Sequence, residues 1–412
     1  MLRIIELSEA QDFFTRKALR LADAEKVVAP ILEDIRLRGD AALFDYSRKF
    51  DRLEPAQLVI GEAEFTAAAG RVGAQFRDAM EVAALNITDY ARLQLPKEHF
   101  TTFPDGRTLG QIIRPLESMG AYIPAGRYPL PSTVLMTVIA AQVAGVKTIC
   151  IACPHPSAEV LVACQYLKER NLFRMGGAQA VAAMAFGTAT IPKVDRIVGP
   201  GNIYVSAAKK LLAGEVGIDF VAGPTEIVII AAEGDPRHLA ADMLAQAEHD
   251  VDASAILLTT SRHLAEQVSL EVTRQLETLT TSAVASEAIR RNSAVILTPT
   301  MEAAAEASNR LAPEHLALHD ASILPLIQHA GSIFVGPSSP EAAGDYASGP
   351  NHVLPTAGAA RMRGGLSSAD FVKVISFQEL TPAALRGLAP TITALARAEG
   401  LEAHARSIEV RL

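Results

Sequence analysis

Residues 147–186 read KTICIACPHPSAEVLVACQYLKERNLFRMGGAQAVAAMAF, and residues 194–212 read VDRIVGPGNIYVSAAKKLL. Short apolar runs alternate with longer helix-forming runs, and glycine or proline marks most of the changes. The pattern predicts strand Lys147–Ala152, helix Ser157–Arg170, strand Leu172–Met175, helix Ala178–Phe186, strand Asp195–Val198 and helix Ile203–Leu212. Continuously apolar strands joined through helices point to βαβ units in a largely parallel sheet.

The same rhythm extends outward. Upstream, Ser132 is expected to cap a helix running through Val143. Downstream, strand Glu226–Ala231 leads to helix Pro236–Glu248, strand Ala255–Thr259 to helix Arg262–Thr278, strand Ala294–Leu297 to helix Glu302–Leu311, and strand Ser332–Val335 ends the run. Two such blocks suggest a duplicated doubly wound α/β design, although no sequence repeat links them. Residues 1–95 read mostly helical, and residues 367–412 read as a mixed tail ending in a helical segment from Thr381 to Ala405.

Composition narrows the class. The chain has 412 residues, too many for one core of ordinary size, so two or more domains are expected. It is 49% hydrophobic and 20% charged, which fits a packed globular protein. The net charge of −8 and the absence of a long basic run exclude nucleic acid as an expected partner. No apolar stretch approaches the ~20 residues that span a bilayer. The amino terminus lacks a signal-peptide pattern, and the expected compartment is the cytoplasm. Cys150, Cys153 and Cys164 are too few for a disulfide framework. The first two form a Cys-x-x-Cys on a predicted strand, where a separation of three puts them on opposite faces; all three are read as small apolar residues.

Ligand sites in open α/β sheets are expected at the carboxyl ends of strands. Met175-Gly-Gly-Ala-Gln179 and Gly199-Pro-Gly-Asn202 each follow a strand and open a helix there. Neither is a complete dinucleotide fingerprint, and Pro200 has no N–H to offer a phosphate. The polar residues say more. Gln246 and His249 sit three apart at the end of a helical run, on one face, presenting an amide oxygen and an imidazole nitrogen. Such a pair is half of a divalent-metal site, which Asp345 and a further histidine would complete. Glu314-His315 sets a carboxylate beside an imidazole suited to general-base work, or else merely begins a new structural element. Asp345 and His352 share a glycine-rich loop, and Glu399 and His404 lie near the carboxyl terminus.

Long blocks in order resemble the histidinol dehydrogenase family from about Ala24 to Arg411. They include Pro129-Leu-Pro-Ser-Thr-Val-Leu-Met136, Val198-Gly-Pro-Gly-Asn-Ile-Tyr-Val205, Gln246-Ala-Glu-His-Asp250, Ala312-Pro-Glu-His-Leu316, Gly344-Asp-Tyr-Ala-Ser-Gly349 and Glu399-Gly-Leu-Glu-Ala-His404. The resemblance implies a zinc-dependent homodimer that oxidises L-histidinol to L-histidine through histidinaldehyde with two NAD, the last step of histidine biosynthesis. It implies two modified Rossmann-like domains, a helical amino-terminal segment and a carboxyl-terminal arm swapped between subunits. The corresponding expected division is 1–15 as an amino-terminal arm, 16–121 plus 227–366 as a large domain, 122–226 as a second domain, and 367–412 as the arm reaching the partner. Gln246, His249 and Asp345 match the family's zinc ligands from one subunit, and His404 matches the fourth, from the partner; one Zn²⁺ per subunit is implied. Glu314 and His315 match the acid–base pair. Thr225, Gln246, His249, His315, Asp345, Glu399 and His404 match substrate positions. Tyr122, Gln179 and Asn202 match cofactor contacts. Two departures bear on substrate range: Thr225 stands where the family usually has serine, and the loop Pro124-Ala-Gly-Arg-Tyr128-Pro carries an added aromatic and lacks one glycine. The alternative reading is a homologous zinc/NAD alcohol dehydrogenase acting on another hydroxyl compound, such as a sulfonated diol.

Overall fold

A computed structural model describes residues 2–15, 21–125 and 128–412. The chain opens on a short strand, β1 (Arg3–Glu6), and continues through helices Leu21–Arg38, Asp40–Tyr46, Glu62–Ala69 and Ala74–Leu93. A hairpin of β2 (His99–Thr102) and β3 (Arg107–Pro115) follows. Then come β4 (Ser118–Tyr122), β5 (Thr148–Ala152), β6 (Leu172–Phe173), β7 (Arg196–Val198) and β8 (Gly217–Ile218). These five pair in parallel in the order β6-β5-β4-β7-β8.

The next strands are β9 (Glu226–Ile230), β10 (Ser254–Thr259), β11 (Ala294–Leu297), β12 (His315–Leu318) and β13 (Ser332–Val335). They form a second parallel sheet, and β1 joins its edge in the order β1-β11-β10-β9-β12-β13. In both sheets the first strand of the set is central, the next two lie to one side and the last two to the other. This is the doubly wound arrangement, with a switch point beside the first strand. Finally β14 (Val372–Leu380) returns to pair antiparallel with β3.

The inner strands of the two parallel sheets are buried on both faces, which is why they read as unbroken apolar runs rather than as alternations. On β5, Ile149 and Ile151 enter one core while Cys150 and Ala152 enter the core on the opposite face; Cys153 falls with the isoleucines, so the Cys-x-x-Cys pair is split as expected. On β9, Ile227 and Ile229 part from Val228 and Ile230 in the same way. Burial pushes the thiols of Cys150 and Cys153 up to about 12 and that of Cys164 higher still. Because the thiolate is the reactive form, native protein at pH 8 is expected to resist alkylation by iodoacetamide at all three positions and to react fully once unfolded. Mass spectrometry of the alkylated chain checks this.

Several expectations change. The amino terminus is not a free arm, because Arg3–Glu6 pairs residue by residue with Ala294–Leu297. The helices between 21 and 93 pack their apolar faces on the β4–β8 sheet, sharing cores with residues such as Met119, Ile149 and Ala180. They therefore do not group with 227–366, and a boundary at 121/122 would cut β4. Pro131, whose fixed φ suits a first helical position, opens the helix ending at Ala144, so Ser132 lies inside it rather than capping it. The expected carboxyl-terminal helix is broken at Gly400, which takes φ +77° between helices Pro382–Ala398 and Glu402–Glu409. Most consequential, His315–Leu318 is a strand paired on both sides in the second sheet.

Candidate active site

At the carboxyl ends of β4 and β7 lies the switch-point crevice of the first sheet. Tyr122 ends β4, is buried, and accepts a 3.1 Å hydrogen bond at its hydroxyl oxygen from the Gly177 N–H. Burial pushes that phenol up to about 12. Gln179, in the helix opened by Gly177, donates to Asp51 at 3.2 Å. Asn202 caps the helix after β7, accepting from the N–H groups of Tyr204 and Val205 at 3.0 and 3.1 Å. Gly199 takes φ +110°, and a Cβ there would stand 2.2 Å from the Tyr122 carbonyl oxygen, so only glycine lets the two strand ends meet. Tyr128 is exposed beside this crevice's loop, whereas Gly126 and Arg127 of the altered loop lie outside the described residues.

A second cluster sits at the opposite kind of edge. Thr225 and Glu314 immediately precede β9 and β12, and His315 begins β12, so these residues mark the amino ends of two neighbouring strands. The carboxyl-end rule therefore holds for the crevice and fails for this cluster. The reason is the helix Pro236–Ala247, which runs back from the carboxyl end of β9 and delivers Gln246 in its last turn to the amino edge.

Hydrogen bonds bind the cluster into one network. The Thr225 hydroxyl donates to Glu314 Oε2 at 2.5 Å and accepts from Gln246 Nε2 at 2.5 Å. The Glu226 N–H also donates to Glu314 Oε2, at 3.0 Å. His315 Nδ1 stands 3.8 Å from Glu314 Oε2, and its Nε2 stands 3.4 Å from Asp345 Oδ1 without the alignment of a hydrogen bond. Asp345 comes from the short helix Glu341–Tyr346, which closes on β13: a Cβ on Gly344 would meet the Phe334 ring at 2.5 Å. The Phe334 ring in turn stacks on His315 at 6.0 Å.

The electrostatics are those of carboxylates crowded around an imidazole. Burial alone would lower His315, but Glu314, Asp345 and Glu341 outweigh it and raise the imidazole to about 10. Burial raises Glu314 and, more strongly, Glu341. Asp345 is also pushed up by burial, yet the pull of His315, His352 and His249 leaves it below the ordinary aspartate value.

Two potential metal-ligating atoms in this region lack protein partners among the described residues. Gln246 is 1% exposed, its Nε2 is used by Thr225, and its buried Oε1 has no hydrogen-bond partner among the described residues. His249, two residues beyond the helix, engages the Ala245 carbonyl at 2.9 Å through Nδ1, which leaves Nε2 as the nitrogen with a lone pair when Nδ1 carries the proton. An orphaned buried amide oxygen and an outward imidazole nitrogen near a carboxylate suit a divalent cation with nitrogen and oxygen ligands.

The chain does not bring all the expected residues together. Among the described residues of one chain, no three His, Cys, Asp or Glu side chains converge as a metal site, so His404 is not beside His249 and Asp345. His404 and Glu399 are exposed, on and beside the helical pair 382–409. Other residues had no role assigned from the sequence. His352 clamps the site loop, contacting the Asp345 carbonyl through Nδ1 at 2.8 Å and the Thr133 hydroxyl through Nε2 at 3.2 Å. Glu341, 1% exposed, has no hydrogen-bond partner for either carboxylate oxygen among the described residues. The nearness of His352 to Asp345 in sequence was the available signal for the first; nothing local marked Glu341 or Thr133.

Two doubly wound sheets, a switch-point crevice and a buried acid–imidazole cluster define an α/β dehydrogenase-type oxidoreductase. Comparison with known proteins narrows this. The family model for histidinol dehydrogenase matches residues 14–412. The chain is 47% identical to the histidinol dehydrogenase of Gluconobacter oxydans over 98% of its own length and 97% of that protein's. It is 47% identical to that of Geobacter sulfurreducens, covering 95% and 94%. The crystal structure of histidinol dehydrogenase from Elizabethkingia anophelis superposes with a TM-score of 0.94 at 38% identity, covering 100% of this chain and 98% of that one. An acetylating aldehyde dehydrogenase from Geobacillus thermoglucosidasius shares the fold alone, with TM-score 0.51 at 12% identity, covering 91% of this chain and 97% of that one. The chain belongs to the histidinol dehydrogenase family; it is an oxidoreductase of histidine biosynthesis that oxidises histidinol with NAD.

Proposed function

We propose that the protein is a zinc-dependent homodimer that oxidises L-histidinol to L-histidine in two successive NAD-dependent steps, with each active site shared between subunits. The observation that carries the metal is the buried Gln246 Oε1, which has no hydrogen-bond partner among the described residues, three positions before His249, whose charge acts on the Asp345 carboxylate. These three would hold one Zn²⁺ per subunit, with His404 of the partner subunit as the fourth ligand. Zinc bound there would supply a template and Lewis acid for the imidazole and amine nitrogens of the substrate. Glu399 of the partner subunit would bind substrate alongside Thr225. The exposed helices 382–398 and 402–409, which pack mainly on each other, are the arm that would reach across.

The chain's own residues account for the proton transfers. His315 Nε2, which has no hydrogen-bond partner among the described residues, would accept the hydroxyl proton as hydride leaves for NAD. That requires a neutral imidazole, whereas three carboxylates now favour the charged form. A cation held by Asp345 would offset one of those carboxylates and would lower His315 toward its working range. Glu314 would then take a proton from the water that hydrates the aldehyde, and His315 would act again in the second oxidation. Thr225 holds both Glu314 and the Gln246 amide, so its hydroxyl fixes acid and ligand together. NAD would lie in the switch-point crevice against Tyr122, Gln179 and Asn202.

No helix among the described residues is long and apolar enough to cross a membrane, and a cytoplasmic location fits the activity. The proposal is tested by counting NADH against histidine. Two NADH per histidine, loss of turnover after dialysis against a chelator, and its return with Zn²⁺ are expected. Turnover of other alcohols but not of histidinol would overturn the substrate; full activity in protein shown by elemental analysis to lack metal would overturn the zinc site.

A further inference from the structure

Behind the crevice lies an ion pair that the reaction does not use. Lys209, in the helix Ile203–Leu212, is 1% exposed, and Asp219, just past β8, is 5% exposed. Their side chains pair directly, with Lys209 Nζ against Asp219 Oδ1. Both also grip the same residue of the glycine turn. Lys209 Nζ donates to the Gly199 carbonyl at 2.9 Å, and the Gly199 N–H donates to Asp219 Oδ2 at 2.7 Å. Asp219 Oδ1 further accepts the Phe220 N–H at 2.6 Å.

Net stability is a poor explanation for such a pair, since desolvating two charges costs about what their attraction returns, and apolar replacements are often as stable. Geometry explains it better. Gly199 is pressed against the Tyr122 carbonyl at the switch point and takes a φ of +110°. The Gly199 N–H is consumed by Asp219, Pro200 has none, and the Asn202 side chain takes those of Tyr204 and Val205. Among the described residues, the N–H groups of Gly201, Asn202 and Ile203 are those left at the mouth of the helix, where an anionic diphosphate is favoured. Asp219 also begins the segment that runs through Gly223, whose N–H donates to the Thr356 hydroxyl, to Thr225 in the catalytic cluster.

We infer that Lys209 and Asp219 are a positioning pair that fixes the Gly199–Asn202 turn in the shape that receives the diphosphate of NAD and ties that turn to the strand carrying Thr225. The inference rests on the placement of NAD in the switch-point crevice.

The test uses the full-length, zinc-loaded protein. The double variant Lys209→Met/Asp219→Asn leaves no lone buried charge and is expected to fold with a lowered Tm, because the Gly199 carbonyl and one N–H lose their partners. Amide exchange over residues 199–204 in the absence of NAD should quicken at least tenfold, and the KM for NAD should rise tenfold or more while kcat at saturating NAD stays within twofold. In the wild type, NAD should slow exchange over the same residues; if it does not, the cofactor placement is wrong. If it does, and the double variant keeps wild-type exchange and NAD KM, the pair is merely structural and the inference fails. A double variant that does not fold assigns the pair to the core and overturns it as well.

Discussion

His315→Asn is expected to lower kcat for histidinol oxidation by about 10²–10⁴-fold, the usual contribution of a positioned general base. The expected loss follows from where the imidazole stands. His315 begins a strand paired on both sides, Phe334 stacks on it, and Nδ1 contacts the Glu226 carbonyl at 3.4 Å while Nε2 has no hydrogen-bond partner among the described residues. Asparagine keeps a polar group of lesser size but cannot take up the proton. It also removes the imidazole that Glu314, Glu341 and Asp345 surround, so the variant should be assayed loaded with zinc. Bound zinc and the oligomeric state should be unchanged. A variant with wild-type kcat would remove His315 from the base role, and one that recovers rate steeply as pH rises would point to hydroxide substituting for the base.

Mixing two inactive variants is expected to restore activity. His315→Asn damages the body of a subunit and His404→Asn damages the arm, so in a two-fold dimer each hybrid holds one site with both defects and one with neither. Random reassortment of equal amounts makes half of the dimers hybrids, each with one working site, and turnover should reach about a quarter of wild type. The structural basis is that Gln246 Oε1 is buried without a hydrogen-bond partner among the described residues, while His404 is exposed on the helix Glu402–Glu409. Native mass spectrometry would establish that subunits exchange. Hybrids without activity would rule out a shared site and require the fourth ligand to come from elsewhere.

Much of this protein was legible in its residues. Buried parallel strands announce themselves as short apolar runs, and β11 (Ala294–Leu297) and β13 (Ser332–Val335) fall where the sequence places them. The helix Ile203–Leu212 does too, because a capping asparagine at its start and apolar periodicity within it are local signals. The expectation that helical spacing sets Gln246 and His249 on one face was too simple, because the helix ends at Ala247 and His249 lies beyond its cap. The strand His315-Leu-Ala-Leu318 was not legible. Four residues are too few for periodicity, and nothing near Pro313-Glu314 indicates pairing with β9, a segment distant in the chain, or with β13.

The sequence by itself therefore determined the class of fold, the family and the chemical character of the site, because propensity, burial pattern and motif order are properties of contiguous residues. Only the tertiary structure decided that β1 closes the edge of the second sheet, that the helices of residues 21–93 belong to the first, and that the buried acid–imidazole cluster lies at the amino rather than the carboxyl ends of its strands. It alone revealed that Thr225 links Glu314 to Gln246, that His352 pins the Asp345 loop to Thr133, and that a buried lysine and aspartate grip Gly199. These are contacts between residues tens to hundreds of positions apart in most cases. Their closure entropy is met by the packing of the whole molecule, and so no local stretch of the chain encodes them.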